Sequence, residues 1–246
     1  QSWFRTLNRG LFGGRLVEPN MLVKRLVGDW GRVVVNWDNR KCRAGTYNQN
    51  VIPGKAGDVV NLFNNFFGEA EYKSGGVMLQ SVSFRNNVTH RIVFYGDPSN
   101  WGEVGQRPEG AWSNFLGQLR SLTFPNPQDS SLLSVVSWSS GDTDEFNAAK
   151  IWDINVENPS KMKAAFDELT EKNQDILGGR SVGLVQYDAG GPDGATHGIV
   201  LYGKNLNDLT LKEREIRSTK QFSDYVSKRG KVEYVKTYIV NVISRF

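Results

Sequence analysis

The chain has 246 residues, of which 39% are hydrophobic and 11% aromatic, and its formal net charge is +4. This hydrophobic content is enough for a buried core, which excludes an intrinsically disordered protein. Much of the positive charge lies in the first 32 residues and the two signs nearly balance afterwards, so no nucleic-acid partner is expected. No apolar stretch approaches the roughly 18 residues that a membrane span requires.

Cysteine usage leaves the compartment undecided. Cys42 is the single cysteine of the sequence. One cysteine allows neither an intramolecular disulfide nor a cysteine-based zinc site, and no metal centre is predicted. The chain begins at Gln1, and no signal-peptide pattern stands before it. That beginning fits a processed, exported protein as well as a shortened chain.

Residues 1–31 are predicted to form a separate amphipathic arm. Its apolar residues recur at helical spacing in two short segments that end at glycines. They are Trp3, Phe4, Leu7, Leu11 and Phe12, followed by Met21, Leu22 and Leu26. We expect the arm to pack on its own domain, and the alternative is a segment that binds a membrane surface or a partner.

An eight-residue pattern occurs twice, and each copy carries one of the two histidines. Residues 89–96, THRIVFYG, recur 107 positions later as residues 196–203, THGIVLYG, with six of eight positions identical. A match at a fixed offset indicates an internal duplication. Phe115 and Phe222 stand at the same offset, which is an independent check on the repeat.

The duplication predicts two units, 32–140 and 147–246, joined by a linker at 139–144. In the first unit we predict a strand at 32–37, a long loop at 39–57, a helix capped by Asp58, strands at 77–84 and 90–96, a helix at 111–119 and a strand at 132–138. In the second unit we predict a strand at 150–156, a helix over 158–176, a strand at 181–187, a hairpin loop at 189–194, a strand at 197–203, a helix around Phe222 and a strand at 233–243. Both units have the β-α-β-β-α-β order, which is ferredoxin-like.

The third strand of the first unit indicates how the units combine. His90, Ile92 and Phe94 lie on one face, and Val93 and Tyr95 lie on the other, so both faces need a cover. Over residues 32–246 this pattern resembles the dimeric α/β-barrel superfamily, in the version where one chain holds both half-barrels. The resemblance implies an α+β fold in which two tandem ferredoxin-like sheets face each other across a pseudo-twofold axis. It rests on element order and duplication and on no catalytic motif.

The superfamily includes monooxygenases that act on polyketides without cofactors and two-unit haem proteins similar to chlorite dismutases. The resemblance therefore implies a small apolar or haem-like ligand in the second unit, with His197 as the candidate haem ligand. His90, Tyr95 and Tyr202 complete the candidate ligand-binding residues. His197 is favoured over His90 because Gly198 leaves room beside it, whereas bulky Arg91 follows His90.

Each candidate residue also has a structural interpretation. The Thr-His pairs could hydrogen-bond a neighbouring loop as a duplicated feature, and the tyrosines could pack with one satisfied hydroxyl. Trp37-Asp38 and Trp152-Asp153 place a carboxyl group beside an indole, where a raised pKa would suit a general base. For both aspartates we favour a carboxylate at a strand end that caps a turn.

The sequence leaves two functions open. One is a small-molecule binding protein or enzyme that uses a cavity between sheet and helices, and the other is a non-catalytic structural or interaction module with a solid barrel. The sequence contains no recognisable catalytic motif, so no catalytic residue is assigned. Self-association is compatible with both functions. A cavity near His197 or Tyr202 would favour the first.

Overall fold

The computed structural model of the chain describes residues 42–125, 130–142 and 144–246. All of these residues belong to one compact unit. The predicted arm at 1–31 and the predicted strand at 32–37, with Trp37 and Asp38, lie outside the described residues. Among the described helices, none is both long enough and apolar enough to cross a membrane.

The described residues form an α+β fold with one large antiparallel sheet. Its eight long strands are β1 (Arg43–Val51), β3 (Gly76–Ser83), β4 (His90–Gly96), β7 (Ser130–Ser139), β8 (Ala148–Val156), β9 (Val182–Ala189), β10 (His197–Gly203) and β11 (Val232–Arg245). Three short strands are β2 (Tyr72–Ser74), β5 (Gly102–Glu103) and β6 (Thr123–Phe124). The helices are α1 (Ala56–Phe67), α2 (Ala111–Leu122), α3 (Pro159–Lys172), α4 (Gln174–Leu177), α5 (Leu206–Arg217) and α6 (Lys220–Lys228).

The eight long strands close into a barrel. Their order is β4-β3-β11-β8-β10-β9-β7-β1, and β1 also pairs with β4, so the ring is complete. Closure removes the unpaired edges that an open sheet would expose. Two seams, β3 with β11 and β7 with β9, join strands of the first half (β1 to β7) to strands of the second half (β8 to β11).

Both halves follow the same order of elements. Each contains strand, helix, strand, strand, helical segment and strand along the chain. Within the sheet, the four long strands of each half stand in the order second, third, first, fourth. His90 and His197 are each the first residue of the third long strand of their half.

Side chains alternate between the barrel interior and the helix layer. Ile92 and Phe94 of β4 pack with α1 and α2, whereas Val93 and Tyr95 of the same strand face the interior. The first helix layer buries a group of aromatic rings, and Phe63 at its centre is fully buried. The second layer, made by α3 to α6, packs on the outer face of the second half's strands.

Strand β1 shows that the prediction of a loop over 39–57 was wrong. Its buried inward positions include polar Thr46 and Asn48, so the strand lacks the apolar alternation that would have identified it. Backbone pairing with β4 on one side and β7 on the other holds it in place. The context of the sheet therefore decides the conformation of this segment.

Two predictions about helices also need correction. Asp58 does not cap α1; it lies in the first turn after Lys55 and forms an ion pair with that lysine at 2.9 Å. Helix α5 was not predicted, because Leu209 is its one fully buried residue and most of its surface is polar. Asn205 starts it by accepting a hydrogen bond from the backbone N–H of Asp208 at 3.0 Å.

The seam between β7 and β9 depends on a residue without a side chain. Gly183 faces Trp138 across the seam, and a Cβ there would stand 2.1 Å from the indole Cε3. We expect Gly183→Ala to lower the free energy of unfolding by about 1–3 kcal/mol, because the partly buried indole must move. The matched control is Gly117→Ala at an exposed position of α2, where a Cβ meets nothing within 4 Å.

The control should raise stability by about 0.5–1 kcal/mol, since alanine favours the helix more than glycine does. Urea denaturation of both variants measures the difference. A Gly183→Ala protein as stable as the wild type would contradict the description of the seam.

Candidate ligand-binding site

A cavity lies in the second half between the sheet and the helices α3 to α6. Its volume is about 80 Å³, and it is partly open to solvent. Apolar side chains dominate its walls, chiefly Trp152, Phe166, Ile199, Leu201, Ile216 and Phe222. This is the layer in which the sequence predicted a ligand for the second unit.

Strand alternation and helix capping together build the cavity. Ile199 and Leu201 alternate along β10 and therefore both face the helices. Thr219 begins α6, and its hydroxyl accepts a hydrogen bond from the backbone N–H of Phe222 at 3.1 Å. That cap fixes the first turn of α6, from which Phe222 reaches the cavity.

Charged groups stand at one side of the cavity. The carboxylate of Glu213 lies between the ammonium group of Lys150 and the guanidinium of Arg217, with 2.8 Å between its Oε1 and the Nε of Arg217. Lys150 also lies 5.2 Å from the ring centroid of Trp152. The apolar walls therefore meet a carboxylate with two cations, which could orient a polar substituent of a ligand.

The two Thr-His pairs make the same contacts in the two halves. The Thr196 hydroxyl accepts from the backbone N–H of Val156 at 3.0 Å and lies 2.9 Å from Nδ1 of His197. The Thr89 hydroxyl accepts from Val51 at 2.8 Å and lies 3.0 Å from Nδ1 of His90. Each hydroxyl tethers the end of the first long strand of its half, which agrees with the structural interpretation of the pairs.

Both imidazoles are buried. His197 is 3% exposed and His90 is 7% exposed. Burial lowers the pKa of each of them, because a charged imidazolium would lose its hydration. The threonine hydroxyl occupies Nδ1 of each ring, so Nε2 is the ring nitrogen left for a further contact.

The four candidate residues fall in two separate places. His197 lies on the helix-facing side of β10 but is not among the residues that line the cavity. Tyr95 and Tyr202 face the barrel interior, where burial raises the pKa of each hydroxyl. The structure does not bring His90, His197 and the tyrosines together. Ligand contact by any of them stays a prediction.

The cavity does not fit a haem. Its lining contains no histidine, and its volume of about 80 Å³ is below the roughly 150 Å³ of an engineered apolar cavity that binds benzene. Among the described residues, no group of three or more His, Cys, Asp or Glu side chains is arranged to hold a metal ion. The residues present suit a small apolar molecule instead.

Trp152 and Asp153 differ from the favoured interpretation of a strand-end carboxylate. Both lie within β8, where Trp152 lines the cavity and Asp153 faces the barrel interior with 0% exposure. Burial raises the pKa of Asp153, although its Oδ1 accepts a hydrogen bond from the hydroxyl of Tyr187 at 2.5 Å. The sequence analysis assigned no role to Tyr187. The signal for this region was the difference between the two copies of the repeat, which have Arg91 in the first and Gly198 in the second.

Comparisons with known proteins identify the fold. No family model matches the chain, and no curated protein matches its sequence. Many solved structures match, among them three that cover most of the chain. A candidate monooxygenase from Fusobacterium nucleatum subsp. nucleatum has a TM-score of 0.57 and 14% identity, covering 84% of this chain and 94% of that one. A candidate monooxygenase from Lactobacillus acidophilus has a TM-score of 0.59 and 8% identity, covering 83% and 95%.

An anthrone oxidase-like protein has a TM-score of 0.52 and 11% identity, covering 85% of this chain and 94% of that one. Identities this low show the fold alone. The sheet closure and the layer of helices agree with the same architecture. The described part of the chain therefore has the dimeric α+β barrel fold.

Proposed function

We propose that this protein binds a small apolar molecule in the cavity between the second half's sheet and its helices. One observation carries the proposal: both walls of the cavity are apolar, and five aromatic side chains contribute to them. They are Trp152, Phe166, Phe222, Tyr225 and Tyr234. A concave, mostly apolar site with a few polar groups is the usual form of a small-molecule pocket.

The size of the cavity limits the ligand. At about 80 Å³, it admits a ligand about the size of one aromatic ring only if side chains yield slightly or part of the ligand extends towards solvent. Glu213 and Arg217 are charged residues of the lining, and 44% of the Arg217 side chain is exposed. We therefore favour a one-ring apolar ligand with a single polar substituent. The candidate monooxygenases and the anthrone oxidase-like protein of the same fold are consistent with a small-molecule ligand.

The proposal includes the organisation of the chain. The common strand order and the matching Thr-His contacts support two duplicated ferredoxin-like units over 32–140 and 147–246. In this scheme His197 supports the cavity from its place two residues before Ile199 on the same side of β10. Contact of a ligand with Tyr202, Tyr95 or His90 would require a separate site.

A second candidate function is a structural or interaction module. The observation that favours it is the close packing of Tyr202, Tyr238 and Val240 with Ile151 inside the barrel. Close packing in this part of the barrel leaves the helix layer as the place for an apolar ligand. Binding measurements on the cavity therefore separate the two functions.

Filling the cavity should abolish binding. We expect fluorobenzene to bind the wild type, seen as broadening of its ¹⁹F NMR signal, and to bind Ile216→Trp at least tenfold more weakly because the indole occupies the space. Leu211→Trp is the matched control, since Leu211 is 52% exposed on the same helix. Equal broadening by both variants, or none by the wild type, would favour the structural module.

A haemin titration tests the poor fit of haem. We expect no Soret shift that depends on His197, because this side chain is 3% exposed and the small cavity has no histidine in its lining. Absorption spectra of the wild type and His197→Ala with added haemin provide the measurement. A Soret shift present in the wild type and lost in His197→Ala would contradict the structural account of this histidine.

A further inference from the structure

The barrel interior contains three polar side chains whose buried atoms lack partners. They are the Nε of Arg91, the Oε1 of Gln80 and the Oδ2 of Asp153, for which no hydrogen-bond partner exists among the described residues. Arg91 is 7% exposed, Gln80 2% and Asp153 0%. Buried polar groups in folded proteins are nearly always hydrogen-bonded, so three such atoms in one compartment need an explanation.

The alternation of the strands turns all three side chains into the barrel interior. Arg91 lies opposite Gln80 in the pairing of β4 with β3, and both face inwards. Asp153 lies opposite Gly198 in the pairing of β8 with β10 and also faces inwards. Arg91 and Gln80 belong to the first half and Asp153 to the second, and Arg91 interacts electrostatically with Asp153.

The guanidinium of Arg91 interacts electrostatically with residues of the second half. Burial opposes that charge, and the neighbouring Tyr238, Tyr187 and Asp153 outweigh burial, so the pKa of Arg91 is raised. Among the described residues, no carboxylate lies within ion-pair distance of this guanidinium. A buried guanidinium without a hydrogen-bonded anion is costly, and a bound partner would remove that cost.

The two copies of the repeat have diverged at this point. Arg91 of the first copy corresponds to Gly198 of the second. A Cβ on Gly198 would stand 3.1 Å from Cγ2 of Val185, 3.6 Å from the Tyr187 hydroxyl and 3.9 Å from Oδ1 of Asp153, so a side chain at this position would crowd the Asp153–Tyr187 pair. One half thus supplies the cation, and the other supplies the carboxyl group.

We infer that Arg91, Gln80 and Asp153 form a second binding site, inside the barrel, for a small hydroxycarboxylate. The ligand's carboxylate accepts from the guanidinium of Arg91, and its hydroxyl donates to Oε1 of Gln80 or Oδ2 of Asp153. One unpaired donor with two unpaired acceptors requires a ligand that carries both kinds of group. This site is separate from the apolar cavity, which lies on the other side of the sheet.

Equilibrium dialysis with radiolabelled glycolate tests the inference, with incubation long enough for local opening of the barrel. The wild type should bind one glycolate per chain, and acetate, which lacks the hydroxyl, should compete at least threefold more weakly. Arg91→Gln should weaken glycolate binding at least tenfold, and Gln80→Met at least fivefold. Arg120→Gln, which removes an exposed arginine from α2, should bind like the wild type.

Circular dichroism identifies the variants that fold. If Arg91→Gln does not fold, the comparison of Gln80→Met with the wild type decides the outcome. Ile216→Trp should bind glycolate normally, because it alters only the apolar cavity. The inference is overturned if the wild type does not bind glycolate, if acetate competes as well as glycolate, or if every folded variant binds undiminished.

Discussion

Closure of the sheet is the constraint on which the rest of this structure depends. The seams β3 with β11 and β7 with β9 satisfy the backbone groups that each half alone would leave at its edges. Once the barrel is closed, every strand has one side towards a sealed interior and one side towards the helices. Successive residues of β10 then face different compartments: Leu201 faces the cavity, and Tyr202 faces the interior.

The helix layer and the barrel interior differ in chemistry because one is covered by helices and the other is enclosed by the sheet. Helices can dock at adjustable distances on the outer face, and in the second half their docking leaves a partly open apolar cavity with Glu213 at its side. The strand spacing of the closed barrel is fixed by backbone hydrogen bonds. The polar groups inside it must therefore form hydrogen bonds with one another or with a bound molecule. The Asp153–Tyr187 hydrogen bond is one such match. The two halves have the same strand order, and Arg91 of the first half stands where the second half has Gly198.

The sequence predicted what depends on local pattern. Alternation identified the strands that begin at His90 and His197, and the repeat indicated a second copy of the same order. Local pattern could not reveal β1, whose inward side chains are partly polar, or α5, which buries little apolar surface. Asp153 was misplaced at a strand end because a charged residue in the middle of a buried strand is rare. The cavity itself depends on distances between helix and sheet, which no sequence pattern encodes.

The proposed function requires that an apolar molecule can enter the cavity between the second half's sheet and its helices. Crystals of the protein pressurised with xenon test it most directly, because xenon enters apolar cavities without needing a polar contact. We expect a xenon atom in contact with Ile199, Leu201 and Ile216. Xenon bound elsewhere in the crystal with none at this place would contradict it.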